Sequence, residues 1–159
     1  MKKDLGLYIH IPFCIKKCDY CEFLSWKSTG KEREDYVRAL EKEIKSYREF
    51  AREYRVSTVF FGGGTPSVLT GEQTERILDA VREVFQMEKE PEITLEMNPG
   101  TGEMEKLVQY RKMGINRLSI GLQSVKNENL KLLGRIHTYE EFLESCKWAR
   151  EAGFDNISA

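Results

Sequence analysis

Val56-Ser-Thr-Val-Phe-Phe-Gly-Gly-Gly-Thr-Pro66 sets the pattern for the whole chain. The β-branched and aromatic run Val56 to Phe61 reads as a buried strand. Gly62 to Pro66 ends it in a loop, and Thr70-Gly-Glu-Gln73 then caps a helix through Phe85. Strand, unusual loop and helix recur on both sides. Upstream, Leu5 to Ile11 reads as a strand, followed by a loop holding Cys14, Cys18 and Cys21. From Lys31 to about Arg52, Val37, Leu40, Ile44, Tyr47 and Ala51 fall at helical spacing behind a Thr29-Gly-Lys-Glu32 capping box. Downstream, Glu92 to Met97 reads as a third strand, with Asn98-Pro99-Gly100 after it. Glu103 to Met113 is a helix ended by Gly114, and Asn116 to Gly121 is a fourth strand with Gln123 just beyond. Thr138-Tyr-Glu-Glu141 caps a helix that stops at Gly153, and Phe154 to Ser158 opens a fifth strand.

Such alternation points to parallel strands joined by helical crossovers, in either a doubly wound sheet or a barrel. The unusual residues discriminate. The cysteine loop, the triple glycine, Glu96 and Gln123 each follow or close a successive strand at its carboxyl end, the rim on which a β/α barrel assembles its site. The expected fold is α/β: a partial, TIM-like (β/α) barrel of about four β/α units plus the start of a fifth strand.

With 159 residues the chain fits about one domain by the soft rule of roughly 100 to 200 residues each. Its 25 basic and 26 acidic side chains leave no field to steer it toward nucleic acid or an anionic membrane. No apolar stretch approaches the roughly 20 residues of a spanning helix, and Met1-Lys2-Lys3-Asp4 runs into a mixed strand rather than a leader core. These features lead to an expectation of a cytoplasmic protein whose cysteines are kept as thiols.

Cys14, Cys18 and Cys21 form a C-x3-C-x2-C run, three thiolates where an iron-sulfur cube needs four. Three ligands leave one iron open to bind something else. The same triplet completed by His10 describes a zinc site, and His10, between Ile9 and Ile11, also reads as a plain strand histidine. The glycine run fits a strand-to-helix turn or a phosphate cradle, although no Lys follows at P-loop spacing. Glu96 and Arg135 taken alone fit a structural ion pair. His137, beside the capping Thr138, suits a loop role, and Cys146 suits a small packed residue.

Tyr8-Ile-His-Ile-Pro-Phe-Cys14, Cys18, Tyr20, Cys21, Gly62 to Pro66, Glu96 to Gly100, Arg117 to Ser124 and Leu133-Gly-Arg-Ile-His137 together resemble the radical S-adenosylmethionine family. The likeness is to the branch holding oxygen-independent coproporphyrinogen III oxidase and the HemW-type heme chaperone, and it covers nearly the whole chain. It implies a [4Fe-4S] cluster on Cys14, Cys18 and Cys21 whose unique iron meets S-adenosyl-L-methionine. An electron from the cluster then splits a carbon-sulfur bond to give a 5'-deoxyadenosyl radical, chemistry that belongs to the cofactor. The resemblance carries cofactor contacts over to Tyr8, Tyr20, Gly63, Gly64, Thr65, Glu96, Gln123 and Arg135, with no residue assigned as catalytic. Its implied partners are heme or porphyrin, heme-acceptor proteins, and an electron donor such as flavodoxin or ferredoxin.

The oxidases of this branch resemble one another in a fourth cysteine two residues after the triplet and in a long N-terminal extension. Phe23 stands at that position here, and only seven residues precede Tyr8. Both departures favour the chaperone, with propionate decarboxylation as the alternative. Relatives are far longer, so residues 1–159 are expected to be the N-terminal part of a radical SAM core. The rest of the barrel and a C-terminal domain would then lie outside the chain, together with a ribose-binding aspartate just beyond Ala159. An inactive, truncated and association-prone fragment is the third reading.

Overall fold

Thr29, Thr70 and Thr138 start the three longest helices. Each side-chain oxygen accepts a hydrogen bond from the backbone N–H three residues on, and Glu32, Gln73 and Glu141 reach back to the threonine N–H. All three capping boxes expected from sequence are formed, satisfying N–H groups that a helix leaves unpaired at its start.

The computed structural model of the chain describes residues 2–159. Met1, the first residue weighed as part of a leader, lies outside the described residues. The elements run β1 (Lys3–Ile11), β2 (Phe13–Cys14), β3 (Trp26–Lys27), α1 (Gly30–Ser46), α2 (Arg48–Ala51) and β4 (Tyr54–Gly63). After a 3-10 turn at Pro66–Val68 come α3 (Gly71–Val84), β5 (Gln86–Met97), α4 (Met104–Lys112), β6 (Arg117–Ile120), α5 (Asn127–Leu132), α6 (Tyr139–Glu151) and β7 (Asn156–Ser158). Five strands make one sheet in the order β1-β4-β5-β6-β7, each paired parallel to the next.

That order decides between the two architectures. The strands follow one another without a reversal of direction across the sheet, so among the described residues there is no switch point of the doubly wound kind. Ile9, Ile11, Val59, Phe61, Ile93, Leu95, Leu118 and Ile120 alternate to one side and share a single core with Val37 of α1, Ile77 and Leu78 of α3, Leu107 of α4 and Ala149 of α6. The helices pack in sequence, α1 on α3, α3 on α4, and α4 on α6. Arg76 bridges the first pair by donating to Glu34 at 2.9 Å and to Glu41. In-register neighbours on the opposite face are Tyr8 and Phe60, His10 and Gly62, Phe60 and Thr94, and Glu96 and Ser119, a mostly polar set. An apolar outer face under helices and a polar inner face describe an arc of a β/α barrel, and the five strands form an open arc.

Several boundaries differ from the sequence reading. The helix expected over 31–52 breaks at Tyr47, where an N–H to Ile44 O bond of 3.1 Å closes α1. The chain then turns so that Phe50 stacks on Tyr54, centroids 4.4 Å apart, while Ala51 is buried. The third strand starts at Gln86 rather than Glu92. Arg55 and Val56 pair with Gln86 and Met87 before the register shifts and resumes at Thr58 and Glu92. Pro91 lies in that irregular stretch, where its missing N–H breaks no ladder. The β2–β3 ladder and α5 were not anticipated, since two-residue strands carry no periodicity and α5 has no side-chain cap.

Candidate functional site

Four strand ends meet at one cavity of about 210 Å³. Cys14, Cys18, Tyr20 and Cys21 line it from the loop after β1, and Gly63, Gly64 and Thr65 from the end of β4. Glu96 and Asn98 come from the end of β5, Gly121 and Gln123 from beyond β6, and Arg135 from the loop after α5. Of the eleven residues singled out from sequence, only Tyr8 is not in the lining. It stands beside the cavity on the polar sheet face, its ring stacked on Phe60 at 6.1 Å and against Gly62.

The cysteine loop is pinned at both ends. Its start and exit pair as the parallel β2–β3 ladder, Phe13 with Trp26 and Cys14 with Lys27, and Trp26 N–H donates to Pro12 O at 3.0 Å. Gly64 N–H donates to Ile11 O at 2.9 Å and Thr65 N–H to Phe13 O at 2.7 Å, so the glycine run lies directly against the loop. Gly63 has φ +116°, in the region that favours glycine. On the far side Asp19 N–H donates to Leu133 O at 3.3 Å, which ties the loop to the segment carrying Arg135.

Polar contacts hold the rest. Glu96 accepts from Gly63 N–H at 3.2 Å, and burial pushes its carboxyl pKa up against the pull of that bond. Arg135 Nη2 donates to Asn98 Oδ1 at 2.8 Å and Gly121 O at 2.7 Å, while Nη1 reaches Cys18 Sγ at 3.4 Å. Glu96 and Arg135 therefore have separate partners, and the ion pair considered from sequence does not form. Burial raises the Tyr20 phenol pKa, with the Arg135 charge opposing. Burial likewise raises that of Tyr8, and the charge on Glu96 adds to it. Gln123 is the one described non-glycine residue with positive φ, +70°, at the turn that brings it to the cavity. His137, 5% exposed, braces that turn by donating from Nε2 to Leu122 O at 3.3 Å, a loop role as expected.

His10 is occupied elsewhere. Leu24 O can only accept, so His10 Nε2 carries the proton and donates to it at 3.1 Å, leaving Nδ1 to accept from Tyr8 Oη at 3.1 Å. Nε2 ties β1 to the cysteine loop and Nδ1 is engaged by Tyr8 on the same strand, which leaves no ring lone pair free for zinc. Cys146 packs half-buried against the core, away from the other thiols, and burial raises its pKa. Asn98, Lys16 and Ser119 also line the cavity but had no role in the sequence reading. Asn98 had a signal, since it lies two residues beyond Glu96 and thus at the same parity along the chain.

The donor set fits a thiolate-ligated cluster with a small ligand beside it that carries an anionic group toward Arg135 and a cationic one toward Glu96. Three free thiols share one cavity, and Gly64 leaves just enough room for the loop, since a Cβ there would meet Phe13 O at 2.6 Å and Cys14 Sγ at 3.0 Å. Of the five guanidinium N–H groups of Arg135, three are used by the contacts above, and Nε–H is buried without a partner among the described residues.

Comparison with known proteins agrees with this layout. Residues 8–159 match the Radical SAM superfamily. The heme chaperone HemW of Escherichia coli strain K12 is 44% identical over 155 residues, covering 97% of this chain and 41% of the relative. HemW of Lactococcus lactis strain IL1403 is 37% identical over 158 residues, covering 99% and 41%. The structure of coproporphyrinogen III oxidase, HemN, from Escherichia coli, described as a radical SAM enzyme, superposes with a TM-score of 0.90 at 35% identity, over 98% of this chain and 36% of that one. The chain thus spans about two fifths of the length of the curated relatives it matches.

Proposed function

This chain belongs to the Radical SAM superfamily, and from that membership we propose that it binds a [4Fe-4S] cluster and S-adenosyl-L-methionine as part of a HemW-like heme chaperone. The observation that carries the reading is the meeting of three thiols with the Gly63-Gly64-Thr65 cradle and Arg135 in one cavity. On this reading Cys14, Cys18 and Cys21 ligate the cluster. Gly63, Gly64 and Thr65 lie along the methionine part of the cofactor, Arg135 offers its spare N–H groups to the carboxylate, and Glu96 faces the amino group. Tyr20 and Gln123 close the cavity, and Tyr8 reaches it from the polar sheet face.

When bound, the pair supplies one-electron reductive cleavage of the cofactor's carbon-sulfur bond. The chain's own residues grip and orient. Arg135 is a permanent cation with a planar fork, suited to a carboxylate. The raised pKa of Glu96 reflects a carboxyl kept from water, where a cationic amino group would be a strong partner.

The chaperone is favoured over the oxidase by Phe23, which stands where the oxidases of this branch resemble one another in a further cysteine. Phe23 lines the cavity and is 69% exposed. Oxidative decarboxylation of coproporphyrinogen III is the second reading, supported by the close superposition on HemN. We further propose that residues 1–159 form the N-terminal part of a radical SAM core, acting in the cytoplasm with heme or porphyrin, a heme-acceptor protein and an electron donor of the flavodoxin or ferredoxin type. The relatives' greater length supports this. Among the described residues, no helix is long and apolar enough to cross a membrane.

Anaerobic reconstitution with ferrous iron and sulfide tests the cofactor reading. The expected result is a brown protein whose reduced-state spin resonance signal shifts on adding S-adenosyl-L-methionine, and a colourless protein overturns it. Heme uptake without conversion of coproporphyrinogen III to protoporphyrinogen IX is expected of the chaperone, and conversion establishes the oxidase instead.

A further inference from the structure

We propose that Asn98 is a positioning residue that sets the direction of a hydrogen-bond relay ending on two of the three cavity thiols, an inference that rests on those thiols holding the cluster. The relay runs from Arg135 through Asn98 and Thr65 to Cys14, with a branch from Arg135 to Cys18. Arg135 Nη2 lies 2.8 Å from Asn98 Oδ1, Asn98 Nδ2 lies 2.9 Å from Thr65 Oγ1, and Thr65 Oγ1 lies 3.6 Å from Cys14 Sγ. The branch from Arg135 Nη1 to Cys18 Sγ is 3.4 Å.

Chemistry fixes every proton in this chain. A guanidinium only donates, so the Asn98 amide must turn its oxygen toward Arg135 and its NH₂ toward Thr65. The Thr65 hydroxyl, accepting from Asn98, has its single proton left for Cys14. Thr65 is 2% exposed, so water does not compete for that proton. With the opposite amide orientation, Asn98 Nδ2–H would face a cation and Thr65 would spend its proton on the amide oxygen. Asn98 thus converts the fixed charge of Arg135 into a donor aimed, through Thr65, at the Cys14 sulfur. Cys21 receives no such side-chain donor among the described residues, and its backbone N–H is turned to Cys18 O at 3.1 Å.

Hydrogen bonds to ligating sulfurs stabilise the more negative, reduced state of a cluster and raise its potential. Two sulfurs are so treated and one is not, an asymmetry built by residues from three different strand ends and the Arg135 loop.

The test is the reduction potential of the reconstituted protein, followed by spin resonance, in wild type, Thr65→Val, Thr65→Ser, Asn98→Asp and the Thr65→Val/Asn98→Asp double variant. Thr65→Val keeps the shape and removes the hydroxyl. Asn98→Asp keeps an acceptor for Arg135 but can only accept from Thr65, drawing the proton away from Cys14. Both single variants are expected to shift the potential negative, Thr65→Ser to retain it, and the double variant to shift by less than the sum. A Thr65→Val protein that loses its cluster while Thr65→Ser keeps it supports the relay as well, because Val differs from Thr by the hydroxyl alone. The proposal is overturned by a Thr65→Val potential equal to wild type, by fully additive shifts, which would mark a bare charge effect of the aspartate, or by loss of the cluster in Thr65→Ser too. A wild-type protein that takes no cluster removes the cofactor reading and this inference together, whereas a normal cluster with unmoved potentials removes the inference alone.

Discussion

Gly64 lies against Phe13 so closely that a Cβ at position 64 would sit 2.6 Å from the Phe13 carbonyl oxygen and 3.0 Å from Cys14 Sγ. The backbone oxygen cannot swing away, because it accepts the Thr65 N–H at 2.7 Å. Gly64→Ala is therefore expected to push the cysteine loop off the β4 end. Overpacking of this kind costs about 1–3 kcal/mol. Chemical denaturation should show that loss, and iron binding after reconstitution should fall with it.

The three thiols are expected to act as a set. Replacing Cys14, Cys18 or Cys21 singly by Ala should reduce bound iron and visible absorbance after reconstitution at least tenfold, while Cys146→Ala leaves both unchanged. Far-ultraviolet circular dichroism should stay that of wild type in all four, since Cys14, Cys18 and Cys21 are only partly buried.

Glu96→Gln preserves the acceptor for Gly63 N–H but removes the charge. Cluster content should be unchanged. Affinity for S-adenosyl-L-methionine should drop about tenfold, which corresponds to about 1.4 kcal/mol, within the range of a charge-assisted hydrogen bond. Titration of the spin resonance shift measures it.

Lys106, which does not line the cavity, gives a pH signature of its own. Burial holds its pKa down to about 8, with Glu103 opposing and Arg33 assisting, and its Nζ donates to Ser67 O. Below that value the ammonium is charged in both states and the folded chain bears its desolvation. From about 8 to 10.5 the unfolded chain holds more protons than the folded one, so stability rises with pH through that window. In Lys106→Met the rise should be smaller, as read from urea melts across the window.

Thr138→Ala removes the side-chain acceptor of the α6 capping box. A loss of about 1 kcal/mol is expected, with cluster incorporation unaffected. Thermal melts and iron analysis on one preparation separate the two effects.

The fold was legible where one residue type leaves the chain a single good choice. Thr29, Thr70 and Thr138, each with Glu or Gln three places on, announced the helix starts, and Gly114 and Gly153 adopt the positive φ that marks the ends. Local pattern could not reveal what tertiary contacts decide. The break at Tyr47 comes with aromatic packing of Phe50 on Tyr54, and the early start of β5 with a register shift against β4. The site was legible as a set of strand-end residues, but the partners were not. Arg135 bonds to Asn98, Gly121 and Cys18 rather than to Glu96, a choice set by which loops meet in space.

The parallel ladder joining Phe13 and Cys14 to Trp26 and Lys27 closes the thiol-bearing loop by backbone bonds alone. Gathering the ends of such a loop carries an entropic cost, and here the ladder's backbone bonds offset part of it. The chain's own backbone thus holds the ends of the thiol-bearing segment together, so a ligand bound by those thiols adds ligation to a loop whose closure is already carried by Phe13, Cys14, Trp26 and Lys27.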